Sequence, residues 1–468
     1  MSDHVEVKRR RTVFWVVALS AITLTFDGYD LVIYGAILPS LLADPGHLGA
    51  ISPEQGGALG SYALVGVLVG ALLAGTFGDI IGRRRVMLFN LAWFSLGMAF
   101  TAMTTSVMMF GLGRFLTGIG VGALVGTVGA VVAEFAPKEK RNRLNAIVYS
   151  GIPAGGVLAS LLAIWLNDLI GWRGLFLIGA LPIVTLLPLA MVKLPESAQW
   201  LASRGRHEEA RIVAERTGVT LAPEPDTAGG RVGFPALATK PFAWPTFLLG
   251  MMSFAGLLLT YGLNTWLPQI MVENGYGESY SLMFLLVLNG GAIVGGLLAS
   301  AWADRIGAKP VVGTTFVLAA ITLALLPLNL PLAVLLAAVA VAGVGTIGTQ
   351  VLIYGLVSNY YPTRARGAGV AWCAGFGRLG GIVGPLVGGL LVGAGLAGLT
   401  AFYFFAAVAV VAALVTMLVP PRSDGEPTAG GAPTVGSEEP GTGQPAGSTE
   451  PAAAEAGEPR SVVTGRQG

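Results

Sequence analysis

Four charged side chains lie inside long apolar segments of the chain, and they are Asp27, Asp30, Arg114 and Arg378. A charged residue at the centre of a bilayer costs roughly 2.5–3.5 kcal/mol on insertion scales, so it needs a partner or a function. A carboxyl group in such a place can take up and release a proton, and a guanidinium group can bind an organic anion. The four residues therefore predict proton and anion chemistry in an apolar medium.

The two acids share one face of a predicted helix. Asp27 and Asp30 are three residues apart, and Tyr34 follows one turn later. Gly28, between the acids, permits close approach of a neighbouring backbone. Arg114 lies about seven residues, or roughly 10 Å, from the end of its own helix, at a depth comparable to that of Asp30. A contact between Arg114 and Asp30 is therefore possible, and a purely structural ion pair between Arg114 and Asp27 is the alternative.

Charged residues near the predicted helix ends have a structural explanation. Glu134 ends the fourth apolar segment, seven residues before Arg141, and we predict a structural or gating salt bridge there. Asp79 and Arg83 belong to a loop that pins helix ends and controls opening without touching a substrate. For Arg378, the structural alternative is that its guanidinium group caps backbone carbonyls.

The composition excludes several classes of protein. Hydrophobic residues make up 54% of the 468 residues and charged residues only 12%, whereas ordinary globular domains carry about 25% charged residues. One cysteine and three histidines give no disulfide framework and no Cys/His metal cluster, and none of the histidines lies in an apolar segment. The net charge of +2 gives no reason to expect nucleic acid. The chain is predicted to be an integral membrane protein that needs no cofactor.

Twelve apolar runs are long enough to cross a bilayer, which takes about 20 helical residues. They cover residues 13–42, 56–77, 86–104, 107–135, 144–166, 173–193, 244–271, 281–302, 310–328, 331–358, 368–394 and 398–419. The first run follows Lys8–Arg11, but it is too long for a signal peptide and lacks a cleavage site of small residues, so we predict a retained helix. The fold class is all-α with twelve transmembrane helices.

The basic residues predict the orientation. All but four of the 28 Lys and Arg residues lie in the N-terminus, in the loops after even-numbered runs or in the C-terminal tail, and the exceptions are Arg114, Arg173, Lys193 and Arg378. Basic residues concentrate on the cytoplasmic side of membrane proteins. We therefore expect a multi-pass protein of a bacterial cytoplasmic (inner) membrane with both termini in the cytoplasm.

The runs group into segments of different character. These are a cytoplasmic N-terminus (1–12), an N-terminal six-helix bundle (13–193), a cytoplasmic central loop (194–243), a C-terminal six-helix bundle (244–419) and a cytoplasmic tail (420–468). Residues 204–216 of the central loop read as a short charged helix. The tail is rich in Gly, Pro, Ala, Thr and Glu and cannot bury enough apolar area to offset its ordering entropy, so we predict that it is disordered.

The two bundles are related by an internal repeat with one fixed offset along the chain. Asp79 falls on Asp304 and Pro137 falls on Pro362 at the same offset, without a gap. Since six crossings is an even number, the two halves have the same orientation. Parallel six-helix repeats about an axis along the membrane normal describe the major facilitator architecture, where substrate binds near mid-membrane between the halves.

The intramembrane charges do not follow this repeat. Met252 takes the place of Asp27 in the second half, and Pro153 takes that of Arg378 in the first. Charge that only one half carries favours a function over an architectural role.

Four motifs resemble those of the major facilitator superfamily. Residues 78–85 (GDIIGRRR) are similar to its loop signature, and residues 113–134 (GRFLTGIGVGALVGTVGAVVAE) and 195–201 (PESAQWL) look like motifs of sugar and organic acid porters. Residues 26–30 (FDGYD) resemble the first-helix signature of the aromatic acid:proton symporters. The resemblance covers about residues 12–420, and only the first-helix motif separates this family from its relatives.

This resemblance implies import of a benzoate-type carboxylate for catabolism in bacteria. It makes Asp27 and Asp30 the proton-coupling acids and Arg378 the residue that binds the organic anion. The chain departs from the pattern of this family in two places. The chain has no intramembrane histidine, and Asn359 stands where the repeat would place a counterpart of Glu134.

The charges also lead to a hypothesis for coupling. With both acids ionised, the two aspartates and the two arginines sum to zero. A carboxylate bound to Arg378 would leave one uncompensated negative charge in a medium of low dielectric constant, and protonation of one acid would restore neutrality. We expect electroneutral symport of one proton with one monocarboxylate, with proton coupling carried by Asp27, Asp30 and Arg114.

An aromatic substrate needs an apolar slot with a few polar anchors. The candidates in helices that typically line such a cavity are Tyr34, Tyr149, Tyr261, Asn264, Trp266, Tyr354 and Trp372. We select Tyr34 and Asn264 as substrate-binding residues beside Arg378. The expected ligands are a small aromatic carboxylate and a proton, and the fold needs only one chain, so we expect a monomer in the lipid bilayer.

Other functions share many of these features. A sugar or other organic-acid proton symporter has similar loop motifs, but a neutral sugar would not need Arg378, and the paired amide expected in the seventh helix is missing, because Asn264 and Gln269 do not form one. An exporter remains an alternative because sequence does not set the direction of transport.

A non-transporting sensor of this fold would usually carry a larger cytoplasmic extension. A membrane enzyme is disfavoured because neither a metal cluster nor a nucleophile–His–acid set is present.

Overall fold

The computed structural model describes residues 3–137, 140–218, 234–328, 330–361, 363–396 and 398–421, and helices are the only regular elements in these ranges. They are α1 (Asp3–Ala43), α2 (Pro53–Ile81), α3 (Arg83–Ala102), α4 (Val107–Phe135), α5 (Arg141–Tyr149), α6 (Gly151–Ala180), α7 (Leu186–Lys193), α8 (Ala198–Ser203), α9 (His207–Thr217), α10 (Phe234–Leu237), α11 (Lys240–Glu273), α12 (Glu278–Ile306), α13 (Ala308–Leu325), α14 (Leu332–Gly343), α15 (Thr349–Tyr360), α16 (Thr363–Gly393) and α17 (Leu399–Leu418). The charged helix expected over residues 204–216 is α9. The later part of the central loop (219–233) and the tail from residue 422 onward lie outside the described residues.

The described residues contain eleven helical stretches that are long and apolar enough to cross a bilayer. One of them, Arg143–Lys193, has 51 residues, which is roughly 75 Å of helix at 1.5 Å per residue. The hydrocarbon core is only about 30 Å thick, so this stretch has to cross twice. Gly171 breaks it with φ 64° and ψ 179°. The eleven stretches therefore correspond to the twelve predicted crossings, with the fifth and sixth joined end to end.

The internal repeat extends to the helix bounds. At the offset that places Asp79 on Asp304, both ends of α2 fall on the two ends of α12, and the start of α3 falls on the start of α13. The glycines that connect these helix pairs share one unusual backbone conformation, with φ 109° and ψ 147° at Gly82 and φ 92° and ψ 151° at Gly307. Side chains other than hydrogen are strained in this region, so glycine occupies both positions for the same reason.

A difference between the halves appears in the counterparts of α4. At the same offset, α4 falls on the stretch from the start of α14 to the end of α15, Leu332–Tyr360. In the second half, however, a π-helical segment, Val344–Gly348, separates α14 from α15. The Thr349 hydroxyl donates to the Val344 carbonyl five residues earlier at 2.9 Å, which ties the wider turn together. Short π-helical turns of this kind are frequent at functional sites.

Glycines let the central helices cross closely in both halves. α1 packs on α6 in the first half, and α11 packs on α16 in the second. A Cβ at Gly28 would overlap the Ile152 carbonyl oxygen, and one at Gly380 would overlap that of Phe254. The close approach predicted at Gly28 is therefore present, and it fixes the segment of α1 that carries Asp27 and Asp30.

The two halves meet mainly through the helix pairs α2 with α16, α6 with α12 and α1 with α11, and α1 also contacts α12. We call the end of the bundle that carries Arg83–Arg85 the basic end, and the other the opposite end. At the opposite end, the Ser61 hydroxyl donates to the Ile382 carbonyl at 2.7 Å, and a Cβ at Gly57 would lie 2.6 Å from the Pro385 carbonyl oxygen. Close main-chain packing therefore joins the halves at the opposite end.

Candidate functional site

Arg114 of α4 forms a buried ion pair with Asp30 of α1. The Arg114 Nη1 donates to Asp30 Oδ1, and the two side chains are only 2% and 0% exposed. The guanidinium carbon lies 5.2 Å from the centre of the Tyr34 ring and 5.9 Å from that of Phe176, so the cation is held between two aromatic faces. The structure therefore brings Arg114 to Asp30 and gives it a fixed position.

Tyr34, selected from the sequence as a substrate-binding residue, packs inside the protein. Its hydroxyl donates to the Gly56 carbonyl at 2.5 Å, and the residue is 1% exposed. The ring contacts Arg114 on one side and Phe110 on the other. In this conformation the hydroxyl and the ring of Tyr34 are engaged within the protein, where the residue supports Arg114.

Asp27 lies one turn before Asp30 and has no cation bound to it in the described part of the chain. It is 2% exposed, and its Oδ1 has no hydrogen-bond partner. Its charged neighbours within electrostatic range are Asp30 on the same helix and Arg378 on α16. Asp27 thus faces an arginine that belongs to the other half of the molecule.

Arg378 is the half-buried cation of the second half. Among the described residues it makes no hydrogen bond and no ion pair. Three tyrosines of three different helices lie within electrostatic range of it, namely Tyr149 of α5, Tyr261 of α11 and Tyr354 of α15. The guanidinium group is therefore available to an anion, in a surrounding that is aromatic and weakly polar.

Asn264, selected from the sequence as a substrate-binding residue, makes hydrogen bonds within the protein in this conformation. Its Nδ2 donates to the Thr260 carbonyl at 2.8 Å, and its Oδ1 accepts from Asn289 Nδ2 at 2.9 Å. A Cβ at Gly35 of α1 would overlap the Asn264 main-chain oxygen. Asn264 therefore lies in the packed contact between α1 and α11, with its amide satisfied.

Two polar residues near Arg378 were missed by the sequence analysis. Gln350 of α15 donates from Nε2 to the Ser253 hydroxyl of α11 at 2.9 Å, and its Oε1 has no partner in the described residues. A glutamine within an apolar run is the sequence feature that could have identified Gln350. It is easily overlooked, because it stands out from the run much less than a charged residue does. Beside this pair, the Trp372 ring stacks on Phe376 at 5.3 Å between centroids.

At the basic end, Glu134 is bridged to Arg83 and not to Arg141. Arg83 Nε lies 3.1 Å from Glu134 Oε1, and this bridge ties the start of α3 to the end of α4. Arg141 begins α5 and forms no ion pair with Glu134. The side chain of Asp79 lies outside the described residues. The bridge borders a polar recess of about 400 Å³ lined by Arg83, Glu134, Gln199, Trp200, Ser203 and Arg204.

Comparisons with known proteins agree on a family. The model of the Major Facilitator Superfamily matches residues 13–295 and 278–451. The benzoate transport protein of Acinetobacter baylyi is 34% identical over 413 residues, which cover 85% of this chain and 87% of that protein. The gentisate transporter of Corynebacterium glutamicum is 33% identical, with 83% of each chain covered. A 4-hydroxybenzoate transporter of Pseudomonas aeruginosa is 31% identical and covers 86% and 93%.

Solved structures show the same fold. The inward open conformation of the xylose transporter from E. coli is similar with a TM-score of 0.71 at 19% identity, and the match covers 88% of this chain and 98% of that one. A partially occluded inward open conformation of that transporter gives a TM-score of 0.67 at 18% identity, covering 87% and 100%.

Proposed function

The chain belongs to the aromatic acid transporters of the Major Facilitator Superfamily, and we propose that it imports an aromatic carboxylate together with one proton across the bacterial cytoplasmic membrane. One observation carries this proposal. Asp27 and Arg378, on helices of different halves, lie within electrostatic range of each other and form no ion pair within the described residues.

Charge balance explains why an anion and a proton would travel together. Arg114 neutralises Asp30, and Arg378 compensates Asp27 at longer range. When a substrate carboxylate pairs with Arg378, the positive charge of Arg378 no longer compensates Asp27. Asp27 is then an uncompensated buried anion, which is unfavourable in a medium of low dielectric constant. A proton on Asp27 removes the excess charge. The proton and the carboxylate therefore stabilise each other's binding.

This balance assigns different roles to the two acids. The guanidinium group of Arg114 pairs with Asp30, whereas Asp27 has no such partner among the described residues. We therefore assign the transported proton to Asp27. Arg114 and Asp30 act as a fixed neutral ion pair, so the electric field that they exert on their surroundings stays constant.

The surroundings of Arg378 suit a flat ring. Tyr149, Tyr261 and Tyr354 lie within electrostatic range of its guanidinium group. Aromatic rings next to an arginine provide the apolar slot and the polar anchor that a small aromatic acid requires. A neutral sugar would leave the guanidinium group of Arg378 unused.

The positions of the basic residues support an orientation of the bundle in the membrane. The basic end carries the Arg-rich loops, which supports a cytoplasmic location for it and for both termini. The halves are packed together at the opposite end, which supports a conformation that is closed toward the outside. Release into the cytoplasm along an inward proton gradient is the expected last step of import.

The test is uptake into proteoliposomes of radiolabelled benzoate, gentisate and 4-hydroxybenzoate, with and without an inward proton gradient. We expect accumulation that needs the gradient and that an imposed membrane potential leaves unchanged, because one proton and one monocarboxylate carry no net charge. Asp27→Asn should lose accumulation but retain exchange of labelled for unlabelled acid.

Asp44→Asn is the matched control, since Asp44 is 61% exposed in the loop after α1 and should behave like wild type. Uptake of sugars and of no aromatic acid would overturn the substrate assignment. Gradient-driven accumulation by Asp27→Asn equal to that of wild type would overturn the role of Asp27.

A further inference from the structure

A groove of about 440 Å³ lies between α13 and α17 on the surface of the second half. Its lining runs from Lys309 at the start of α13 to Val317, with Thr416 and Met417 of α17 on the other side. Val317 and Met417 are exposed, and both helices are long and apolar enough to cross a bilayer. Neither helix belongs to the pairs through which the halves mainly meet. The groove therefore opens toward the lipid.

The walls of the groove suit a hydrocarbon chain. Thr314 Oγ1 donates to the Pro310 carbonyl at 2.9 Å, and Thr416 Oγ1 donates to the Ala412 carbonyl at 2.7 Å. These hydroxyl groups are satisfied within their own helices and need no polar ligand. The wall of α13 extends over roughly 12 Å of helix, at 1.5 Å per residue. Half of the hydrocarbon core measures about 15 Å, so the groove matches one leaflet.

Lys309 is the basic residue at one end of the groove. Its Nζ donates to the carbonyl of Val419, the C-cap residue of α17, at 2.5 Å. Among the described residues it forms no ion pair. An ammonium group has three donors, so this contact positions Lys309 and leaves it able to bind an anion. The internal repeat places Lys309 on Arg84, which puts it at the basic end.

The small residues of the groove belong to the second half alone. Leu88 and Phe89 take the places of Gly313 and Thr314 in the first half. A Cβ at Gly313 would make only an ordinary contact, 3.8 Å from Thr416 Cγ2. Close packing of the two helices therefore does not require glycine at this position. A larger side chain would fit there, and it would occupy the groove.

We propose that this groove binds one anionic phospholipid from the leaflet at the basic end, with an acyl chain along α13 and α17 and the phosphate group on Lys309. The orientation proposed above makes this the cytoplasmic leaflet, which carries the anionic lipids. A zwitterionic lipid has a cation of its own beside its phosphate and gains less from Lys309. Because the lipid contacts both helices, its binding stabilises the contact between them.

The experiment compares phosphatidylglycerol with phosphatidylcholine of the same acyl chains, added to the purified full-length protein in detergent. Native mass spectrometry measures the affinity of each lipid, and differential scanning fluorimetry measures the change in melting temperature. We expect phosphatidylglycerol to bind about fivefold more tightly, which is the effect of one lysine near an anionic headgroup. Lys309→Gln should remove this preference. Lys8→Gln is the matched control, because it removes an exposed lysine near the start of α1.

Gly313→Leu tests the groove itself. This variant introduces the residue type that the first half carries at this position, and it should abolish the stabilisation by phosphatidylglycerol. In detergent alone it should melt no lower than wild type, because leucine favours a helix over glycine. Gly367→Leu is the matched control, since Gly367 is exposed and no atom lies within 4 Å of its Cβ position. Should Gly313→Leu fail to fold, Thr314→Phe makes the equivalent test.

Three results would overturn the proposal. The first is equal affinity of the two lipids for wild type, or a preference that Lys309→Gln retains. The second is stabilisation by glycerol 3-phosphate equal to that by phosphatidylglycerol, which would show that a free anion is bound and not a lipid. The third is a wild-type dimer that Gly313→Leu separates, because the groove would then be an interface between two copies of the chain. None of these measurements depends on transport, so the proposed function is tested separately.

Discussion

Asp27 and Asp30 stand one helical turn apart on α1, yet only Asp30 has an arginine bound to it. Arg114 crosses from α4 to reach Asp30 and is clamped between the rings of Tyr34 and Phe176. Asp27 faces Arg378 across the boundary between the halves. The two aspartates are chemically identical, but substrate binding can change the charge balance of only one of them. A substrate carboxylate can bind to Arg378, the cation near Asp27, whereas Arg114 is already bound to Asp30.

The pair of Asp30 and Arg114 should be indispensable for stability. Removal of one partner from a buried ion pair leaves an uncompensated charge and costs about 3–5 kcal/mol. We expect Arg114→Leu and Asp30→Asn each to lower the melting temperature of the purified protein strongly. The double variant Asp30→Asn/Arg114→Leu should be more stable than Arg114→Leu alone, and additive losses would contradict the pairing.

Arg378 should be replaceable by lysine only with a loss of affinity. Lysine keeps the positive charge but lacks the planar fork that binds a carboxylate through two parallel hydrogen bonds. We expect Arg378→Lys to raise the KM for the preferred acid roughly tenfold, which corresponds to about 1.4 kcal/mol. Arg305→Lys changes an exposed arginine at the end of α12 and should leave KM unchanged. An unaltered KM in Arg378→Lys would remove this arginine from the binding site.

Gly28 should not tolerate a side chain. A Cβ at this position would overlap the Ile152 carbonyl oxygen, and a backbone atom cannot move aside as a side chain can. Overpacking of a buried contact costs typically about 1–3 kcal/mol, so Gly28→Ala should lower the melting temperature. Gly290→Ala is the matched control, because no atom lies within 4 Å of its Cβ position and alanine favours a helix. Equal effects of the two substitutions on thermal unfolding would show that the crossing of α1 and α6 is looser than described.

Gly82 and Gly307 occupy equivalent positions in the two halves, so the variants Gly82→Ala and Gly307→Ala form a matched pair that tests the internal repeat. Both glycines have a positive φ that strains other residues by about 1–3 kcal/mol. A Cβ at Gly82 would also lie 2.8 Å from the Glu196 carboxylate, whereas the nearest atom at Gly307 is 3.9 Å away. We expect both variants to melt at lower temperature, with the larger decrease for Gly82→Ala. The reverse order in differential scanning fluorimetry would contradict the assigned surroundings of Gly82.

The sequence predicted the spans, the repeat and the charged residues because these depend on residue type and position along the chain. It could not choose the partner of Arg114, because two acids three residues apart share a face and the rotation of α1 decides which one is reached. It could not predict that the Tyr34 hydroxyl donates to the carbonyl of Gly56, because that carbonyl belongs to another helix. Nor could it predict the π-helical segment Val344–Gly348, because hydropathy does not register a change of helix type.

The seal at the opposite end is made largely of main chain. Gly57 lies against the Pro385 carbonyl, and Gly389 lies against that of Pro53. Helices that touch backbone to backbone leave little room for a file of water molecules, the route along which protons hop. A carrier closed in this way does not dissipate the ion gradient of its cell while it waits for cargo. Few side-chain hydrogen bonds, such as the one from Ser61, then have to break when the seal opens.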